Sequence, residues 1–366
     1  MKKIGFGYGG MLPRTRFLRT INYEKPDRVP INYHSNPGID LRLKEYFGLS
    51  ANDDEGLRRA LGVDFRGVGA RYIGEPMHVS ARADRRVDAQ YGWVLRYIEH
   101  GAGGYWDYCD FPLIDADEET IANWRFPDPD DFAYDSMFEQ VKSGADYALF
   151  LGGAGLGCII NTAGFLRGME QTLVDLITDD PAGLLLIKKM MDFQYAVFER
   201  ELNEVGKHVN FVWMGEDLGT QRSPLISMDI FKKHILPVHE KFIGLAGSYG
   251  LPVLMHTCGS SSWAYEEYIK AGLKGVDTLQ PEAGDMSPAY LKKTFGGRLF
   301  FHGCISTGGV LAFGSAEDTV NDCTNILETM MPGYEYCFSP SHSLQDNTPV
   351  ENILAAYNTA HRVGVY

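Results

Sequence analysis

A histidine and a cysteine two residues apart, in His256-Thr257-Cys258-Gly259, are well suited to binding a metal ion. They follow Val253-Leu-Met255, a short apolar run typical of a buried strand. Residues two apart on an extended segment point the same way, so an imidazole nitrogen and a thiolate converge as a tetrahedral zinc site requires. The alternative is a hydrogen-bonded histidine beside a buried thiol. The position directly after a strand favours the metal.

A zinc site needs at least a third protein ligand. His342, in Ser339-Pro-Ser-His-Ser343, is the first candidate because it follows the last predicted strand. Cys304 and Cys337 are the reserves. Cys304 lies in a plausible rim loop, whereas Cys337 is expected inside a strand, where a buried thiol is the simpler interpretation. The sequence leaves the choice among the three open.

Other polar side chains also come just after predicted strands. Glu216 and Asp217 follow Phe211-Val-Trp-Met214 and are the predicted catalytic residues. They could instead complete the metal site, orient a ligand, cap a helix or lie on the solvated surface. A further set shares this placement after a strand and is predicted to bind substrate: His34, Asn36, Gln280, Glu282 and His302.

From about residue 147 onward, short apolar runs alternate with amphipathic helical patterns. This alternation is typical of a parallel sheet covered by helices, because strands buried on both faces contain mostly apolar residues. In such a barrel the polar residues that follow successive strands share one rim, and that rim carries the active site. The predicted strands lie at 147–151, 211–214, 253–255, 275–279, 299–301 and 334–338, and the predicted helices at 181–205, 228–249, 261–272, 287–295, 315–331 and 348–363.

The first third of the chain is less regular. Residues 14–24 look helical, and Arg28-Val-Pro-Ile-Asn-Tyr33 looks like the first barrel strand. Residues 63–100 have strand-like composition and are interpreted as antiparallel, within an inserted subregion of about 63–118. The fold class is therefore α/β, a (β/α)8 TIM barrel with an N-terminal extension and a small β-rich insertion. All of residues 1–366 are assigned to one domain, since a barrel takes about 250 residues or more.

Composition narrows the possible partners. The chain has 366 residues and a formal net charge of −14, which argues against nucleic acid or an anionic membrane surface as a partner. No apolar stretch approaches the roughly 18 residues of a membrane helix, and no apolar run follows the two N-terminal lysines as it would in a secretory signal. The six cysteines are dispersed. We therefore expect a cytoplasmic protein with reduced thiols.

Seven segments, taken in order, resemble the uroporphyrinogen decarboxylase superfamily, which includes zinc-dependent, corrinoid-linked methyltransferases. The resemblance spans most of the chain and implies a TIM barrel. The segments are Glu24-Lys-Pro-Asp-Arg-Val-Pro30, Gly215-Glu-Asp-Leu-Gly-Thr-Gln221, His256-Thr-Cys-Gly259, Gln280-Pro-Glu282, Phe301-His-Gly-Cys-Ile-Ser306, Ser339-Pro-Ser-His-Ser343 and Thr348-Pro-Val-Glu-Asn352.

The resemblance is closer to the methyltransferase branch. Decarboxylases of the family carry an arginine-rich segment that grips the substrate's carboxylates, whereas the corresponding segment here, His34-Ser-Asn-Pro-Gly-Ile-Asp40, has no arginine. The methyltransferase branch uses a His-x-Cys pair and a later cysteine as zinc ligands. His256 and Cys258 match that pair, and His342 stands where the later cysteine is expected.

The resemblance implies a zinc-dependent methyltransferase. It would move a methyl group between a small substrate and a corrinoid (cobalamin) that a partner protein carries. The aromatic residues of the insertion favour a methoxylated aromatic or another apolar methyl donor. Two alternatives remain open: a metal-independent lyase that decarboxylates a small acid through Asp217 and His342, and a non-catalytic barrel that binds a corrinoid or a partner. The density of ligand-type residues on one rim argues against the last.

Overall fold

The computed structural model describes residues 10–80, 82–101 and 103–366. The two N-terminal lysines therefore lie outside the described residues. Apolar runs form most of the strands, and an antiparallel group lies between the first two strands of the main sheet. In chain order the strands are β1 (Phe65–Val68), β2 (Arg71–Tyr72), β3 (Arg86–Val87), β4 (Val94–His100), β5 (Gly103–Tyr108), β6 (Phe132–Ala133), β7 (Ala148–Gly152), β8 (Phe211–Gly215), β9 (Val253–His256), β10 (Gly275–Leu279), β11 (Phe300–Ile305) and β12 (Tyr336–Pro340).

Helices connect these strands and cover the outside of the main sheet. Short 3-10 segments occur at Pro129–Asp131 and Ser262–Ala264, and a π-helical turn at Phe231–Ile235 joins two helices. The α-helices are α1 (Pro13–Ile21), α2 (Pro37–Phe47), α3 (Asp54–Leu61), α4 (Glu118–Asn123), α5 (Met137–Ser143), α6 (Ile160–Arg167), α7 (Met169–Thr178), α8 (Pro181–Val205), α9 (Met228–Ile230), α10 (Leu236–Ser248), α11 (Tyr265–Lys270), α12 (Pro288–Phe295), α13 (Val310–Phe313), α14 (Ala316–Met330) and α15 (Val350–Val363).

Seven strands form one parallel sheet in the order β1-β7-β8-β9-β10-β11-β12. Every residue of β8, β10, β11 and β12 is buried, as expected for strands covered on both faces. The sheet curls so that its two edge strands, β1 and β12, approach the same segment of chain. This is an α/β architecture consistent with a TIM-like barrel.

Residues 29–32 lie between the two edges of the sheet. The N–H of Phe338 in β12 donates to the carbonyl of Pro30, and the N–H of Asn32 donates to the carbonyl of Phe338, each at 2.9 Å. On the other side, the N–H of Asp64 donates to the carbonyl of Ile31. The predicted strand 28–33 thus forms two isolated bridges, at Arg28 and Ile31, and not a full strand, so the barrel is not fully closed by strands. Pro30 contributes to this irregularity because it has no N–H to donate.

The antiparallel region differs from its predicted extent. Residues 65–68 were expected in an antiparallel insertion, but β1 pairs in parallel with β7. That part of the prediction is wrong, because four residues of mixed composition carry no signal for which neighbour they pair with. The antiparallel strands are β3, β4 and β5, with β2 paired to β6 beside them.

Helix starts follow local capping chemistry in most cases. Ser287 and Ser315 accept hydrogen bonds from the first turns of α12 and α14, as their sequences predict. The sequence Thr348-Pro-Val-Glu351 predicts a threonine cap for the last helix, but the N-cap position of α15 is Pro349 and Thr348 is buried. Among the described residues, no helix is both long enough and apolar enough to span a bilayer.

Aromatic rings fill one end of the barrel interior. Phe17 of α1 packs against Phe211 with ring centroids 4.7 Å apart, and its edge contacts Phe65 and Phe300 at 5.5 and 5.8 Å. These residues lie at the starts of β8, β1 and β11. The N-terminal helix therefore plugs the end of the barrel opposite the carboxyl ends of the strands, and leaves those ends open to form a site.

Candidate metal centre and adjoining cavity

Three side chains converge at the carboxyl ends of β8 and β9. The ligand atoms of Asp217, His256 and Cys258 all lie within 4.8 Å of one another, and they are the one such group among the described residues. The Nε2 atom of His256 and the Sγ atom of Cys258 are 3.6 Å apart. The predicted His-x-Cys pair is thus brought together, and its third member here is Asp217, which the sequence assigned first to catalysis.

The Asp217 carboxylate holds the loop that carries Cys258. Its N–H donates to Oδ1 of Asp217 at 3.0 Å, while Asn161 donates to Oδ2 of the same carboxylate at 2.7 Å. Gly259 has a φ of +70°, and a Cβ there would lie 2.4 Å from the carbonyl oxygen of Gly219. Only glycine fits this close crossing of two loops. The loop geometry is therefore set by the sequence that surrounds the metal-binding pair.

Asp277 fixes the orientation of His256. The Nδ1–H of His256 donates to Oδ2 of Asp277 at 2.8 Å, so Nε2 is directed towards Cys258 with its lone pair available. A carboxylate behind a histidine in this way is typical of metal-binding histidines. Asp277 is not among the residues predicted from the sequence. The available signal was a charged residue in the middle of the otherwise uncharged buried strand Gly275–Leu279.

Thr278 adopts a strained backbone beside this pair. Its φ is +63°, which is uncommon for a β-branched residue, and the register of β10 against β11 shifts at this point. Such strain costs on the order of 1–3 kcal/mol and persists only where the surroundings impose it. The result is that the Thr278 hydroxyl lies 2.5 Å from Nδ1 of His256. The strain therefore contributes to positioning the histidine.

The electrostatics of the centre favour ionised carboxylates. Burial alone would raise the pKa of Asp277, but His302 and His256 hold it well below its usual range. The pKa of Asp217 is also lowered, since His256 and the Asn161 amide outweigh its burial. By contrast, burial and the charge of Asp217 raise the pKa of the Cys258 thiol. A bound cation would instead lower the pKa of the Cys258 thiol, because coordination favours the thiolate.

A cavity of about 270 Å³ adjoins the centre. His256, Asp277 and Thr278 form one wall, and the rings of Phe150 and Trp213 form an apolar wall. These residues lie in the middle or at the carboxyl ends of β7 to β10, on the side of the barrel where such folds place their site. The cavity is large enough for a small ligand in contact with the metal-binding histidine.

Two predicted site residues line this cavity. His34 and His342 both face it, together with Ser343. Burial, followed by the neighbouring charge of His256, lowers the pKa of His342, so its imidazole is neutral at pH 7. Burial lowers the pKa of His34 to about 4. The nitrogens of His342 are not among the converging ligand atoms, and its role as the third ligand stays a prediction.

Glu216 does not face the cavity. It is fully buried, and its carboxylate accepts from the N–H groups of Ile159 at 2.7 Å and Ile160 at 3.1 Å, at the start of α6. Burial raises its pKa to about 8. The structure thus places Glu216 at a helix terminus, and its catalytic role stays a prediction.

His302 also differs from its prediction as a substrate-binding residue. It lies inside β11, because that strand runs to Ile305 and not only to Phe301, and it is 1% exposed. Its Nδ1 bonds to Asp277, and its Nε2 accepts from the Asn32 amide at 3.0 Å. Both ring nitrogens are therefore occupied, and His302 supports Asp277 from below the site.

The remaining predicted residues lie around the rim. Gln280 accepts from the N–H of Gly259 at 2.6 Å and so holds the loop after Cys258. Asn36 donates to Gln345 at 3.2 Å, which joins two rim loops. Glu282 is exposed and does not line the cavity. None of the three is placed against the space where a substrate would lie.

The reserve cysteines are both buried in strands. Cys304 lies in β11 and Cys337 in β12, each with 0% exposure, and burial raises the pKa of both thiols. Neither belongs to the converging group of Asp217, His256 and Cys258. The rim loop expected at Cys304 is absent because the strand extends through it.

Comparison with known proteins identifies the family. Residues 138–363 match the family of uroporphyrinogen decarboxylase (URO-D). This range covers more than half of the chain and contains β7 to β12 and the metal centre. The chain therefore belongs to the uroporphyrinogen decarboxylase family.

Solved structures give the same picture of the fold. A methyltransferase from Methanosarcina mazei is similar over 96% of this chain and 99% of its own, with a TM-score of 0.61 and 15% sequence identity. The Penicillium canescens endo-1,4-beta-xylanase XylE is similar over 70% of this chain and 94% of its own, with a TM-score of 0.39 and 9% identity, too low to bear on the argument. No curated protein sequence matches the chain.

Proposed function

We propose that this protein is a zinc-dependent methyltransferase that moves a methyl group between a small substrate and a corrinoid. The observation that carries the proposal is the convergence of Asp217, His256 and Cys258 next to a small cavity. Family membership and the similarity in fold to a methyltransferase are consistent with it. The corrinoid would be cobalamin-like and bound to a partner protein.

The residues present fit zinc. Imidazole nitrogen, thiolate and carboxylate oxygen are the donors that zinc takes in proteins. Bonds of about 2.0 Å to nitrogen and 2.3 Å to sulfur at a tetrahedral angle separate the two donors by roughly 3.5 Å. The 3.6 Å between Nε2 of His256 and Sγ of Cys258 agrees with that separation. With three protein donors, a fourth position would stay open, as in catalytic zinc sites.

The chain's own residues would prepare the site for a ligand. Bound zinc would supply Lewis acidity, which activates a thiol or polarises an oxygen that bears a methyl group. Asp277 holds His256 in the tautomer that offers Nε2. Phe150 and Trp213 would exclude water from one side of the ligand, and they favour an apolar or aromatic methyl donor.

The alternative, decarboxylation of a small acid without metal, has weaker support. No lysine or arginine is present among the described residues that line the cavity. A substrate carboxylate there would have only the imidazoles of His34, His256 and His342 as partners. Of these, His34 and His342 have lowered pKa values and would be neutral at pH 7.

A methyl-transfer assay tests the proposal. The purified protein would be incubated with cob(I)alamin and candidate methyl donors, methoxylated aromatics first, and methylcobalamin formation followed by absorbance. We expect turnover in the wild type, loss of at least about 100-fold in Cys258→Ser, and no change in the control Cys109→Ser, whose thiol is buried outside the centre. Full activity of Cys258→Ser would contradict the proposal.

A further inference from the structure

A second cavity lies on the other side of the loop that follows β7. It has a volume of about 310 Å³, and Gly153 lines both this cavity and the one beside the metal centre. Its walls come from the antiparallel insertion, β6, α8 and the glycine-rich loop 152–156. It is called the aromatic cavity below, after its five lining rings: Tyr91, Trp93, Phe132, Phe193 and Phe198.

Four of these rings form a continuous wall. Tyr91 stacks on Trp93 with centroids 4.5 Å apart and planes at 9°. Phe193 meets Tyr91 edge-on at 5.9 Å and lies 6.0 Å from Phe132. Aromatic ring faces carry negative charge density and attract a cation that contacts them.

One carboxylate lies within this aromatic setting. Glu201 of α8 lines the cavity, and its Oε1 accepts from the N–H of Ala70 at 2.8 Å. No described residue donates to its Oε2. Burial raises the pKa of Glu201 to about 7, and no positively charged side chain opposes this. Glu201 is partly buried, and a carboxylate withdrawn from water without a counter-charge is costly, so a bound cation would offset that cost.

The side chains that line the aromatic cavity favour one kind of cation over others. Among the described residues that line the cavity, none is a lysine, arginine or histidine, so an anionic ligand would find no positively charged partner. A metal ion or a primary ammonium needs several oxygen ligands. Besides Glu201, the lining side chains offer only the oxygens of Tyr91, Thr162 and Gln194, and Gln194 already accepts from the N–H of Gly157. An ammonium whose substituents are methyl groups needs apolar contacts and a single negative charge.

We propose that the aromatic cavity binds an alkylated ammonium cation, with Glu201 as the counter-ion and the Tyr91, Trp93 and Phe193 rings against the methyl groups. The inference concerns binding only and does not depend on methyl transfer at the neighbouring centre. A failed binding experiment would leave the proposed function standing, and a failed transfer assay would leave this proposal standing.

Calorimetric titration with choline tests the proposal, using its neutral carbon isostere, dimethylbutanol, as the matched ligand. At pH 8 the Glu201 carboxyl is largely ionised. We expect saturable choline binding at least about tenfold tighter than that of the isostere, because only the cation gains from the rings and the carboxylate. Equal binding of both ligands, or no saturable choline binding, would overturn the proposal.

Two variants separate the carboxylate from general damage to the fold. Glu201→Gln keeps an acceptor for the Ala70 N–H and should weaken choline binding about tenfold or more, with no effect on the isostere. The control Glu199→Gln removes the same charge from an exposed position of the same helix and should bind choline as the wild type does. Equal weakening in both variants, or none in Glu201→Gln, would contradict the role of Glu201. Tighter binding of a neutral aromatic such as anisole than of choline would also contradict it.

Discussion

Asp277 is the residue on which the centre depends most. It accepts from His256 at 2.8 Å and from the Trp213 indole at 3.1 Å, and it also bonds His302. All three partners project from strands that neighbour or lie near β10 in the sheet. One buried carboxylate therefore sets the orientation of the metal-binding histidine and links it to the barrel interior.

Replacing Asp277 should weaken metal binding without removing a ligand. In Asp277→Asn the amide accepts less well from His256, and its own N–H₂ cannot serve both histidines. We expect zinc affinity to fall about 10- to 100-fold, the usual cost of losing such a support. Competition against a chromophoric chelator measures this. Asp322→Asn, which changes a half-buried carboxylate of α14, is the control and should bind zinc normally. Unchanged affinity in Asp277→Asn would refute the supporting role.

Glu201 should make stability depend on pH in a defined direction. Its folded pKa of about 7 lies above the ordinary value of 4.5, so the folded state holds its proton more tightly. Its stabilising contribution to the free energy of unfolding is therefore present in full below pH 4.5 and is lost as the pH rises through 7. The total loss is at most about 3 kcal/mol. Tyr91 and Tyr134, the titratable groups nearby, ionise far above this window.

Urea unfolding at pH 5 to 8 measures that dependence. The free energy of unfolding of the wild type should fall relative to that of Glu201→Gln as the pH rises, because glutamine stays neutral throughout. The control Glu199→Gln should follow the wild type. Parallel curves for the wild type and Glu201→Gln would mean that the carboxyl has an ordinary pKa.

At the scale of elements, the loops that follow the strands position most of the side chains of the metal centre. Asp217 and Cys258 come from loops after β8 and β9 and are joined by a backbone hydrogen bond. The start of α6 lies beside them, and its first N–H groups are held by Glu216, which directly precedes Asp217. A helix terminus and a metal ligand are thus fixed by adjacent residues of one loop.

Glu216 should therefore matter for stability. Glu216→Ala leaves the buried N–H groups of Ile159 and Ile160 without acceptors, and each such loss costs about 1–3 kcal/mol. We expect the free energy of unfolding to drop by about 2–5 kcal/mol, with a smaller loss in Glu216→Gln, which keeps one acceptor. Urea unfolding measures both, with the exposed Glu199→Ala as control. Normal stability combined with lost turnover in Glu216→Gln would contradict the structural role and support the predicted catalytic one.

The sequence predicted most strands and helices in the second half of the chain correctly, but it did not predict some of their details. Apolar runs and capping serines located β7 to β10 and α12 and α14, because those signals are local. The extension of β11 through His302 and Cys304 was missed, since a histidine and a glycine are not typical strand residues. Asp277 was missed because its partners are distant in sequence. The convergence of His256 and Cys258 was predictable from their spacing alone.

At the scale of the whole molecule, one buried network of hydrogen bonds joins the parts of the barrel whose arrangement cannot be predicted from local sequence patterns. Asp64, directly before β1, accepts from the guanidinium groups of Arg16 in α1 and Arg28, and from the N–H of Ile31. The main-chain N–H of Asp64 donates to the carbonyl of Ile31, and its carbonyl accepts from the N–H of Ala148. The plug helix, the bridging segment and the first strand therefore meet at one carboxylate.

Breaking that network should destabilise the entire fold. Asp64→Asn leaves two buried guanidinium groups beside a neutral amide, and such a loss typically costs about 3–5 kcal/mol. The free energy of unfolding in urea should fall by that amount, while Asp135→Asn, at an exposed position, should leave it unchanged. A loss below about 1 kcal/mol would show that the network does not hold the barrel together.

The central claim is that Asp217, His256 and Cys258 bind one metal ion. Cobalt(II) substitution tests it most directly, because a cobalt–thiolate bond produces a charge-transfer absorption that reports the cysteine itself. The account predicts one cobalt per chain with this absorption and with the visible bands of a tetrahedral ion, both kept in Cys109→Ser, and no charge-transfer absorption in Cys258→Ser. A protein that binds no cobalt, or a Cys258→Ser variant with an unchanged spectrum, would contradict it.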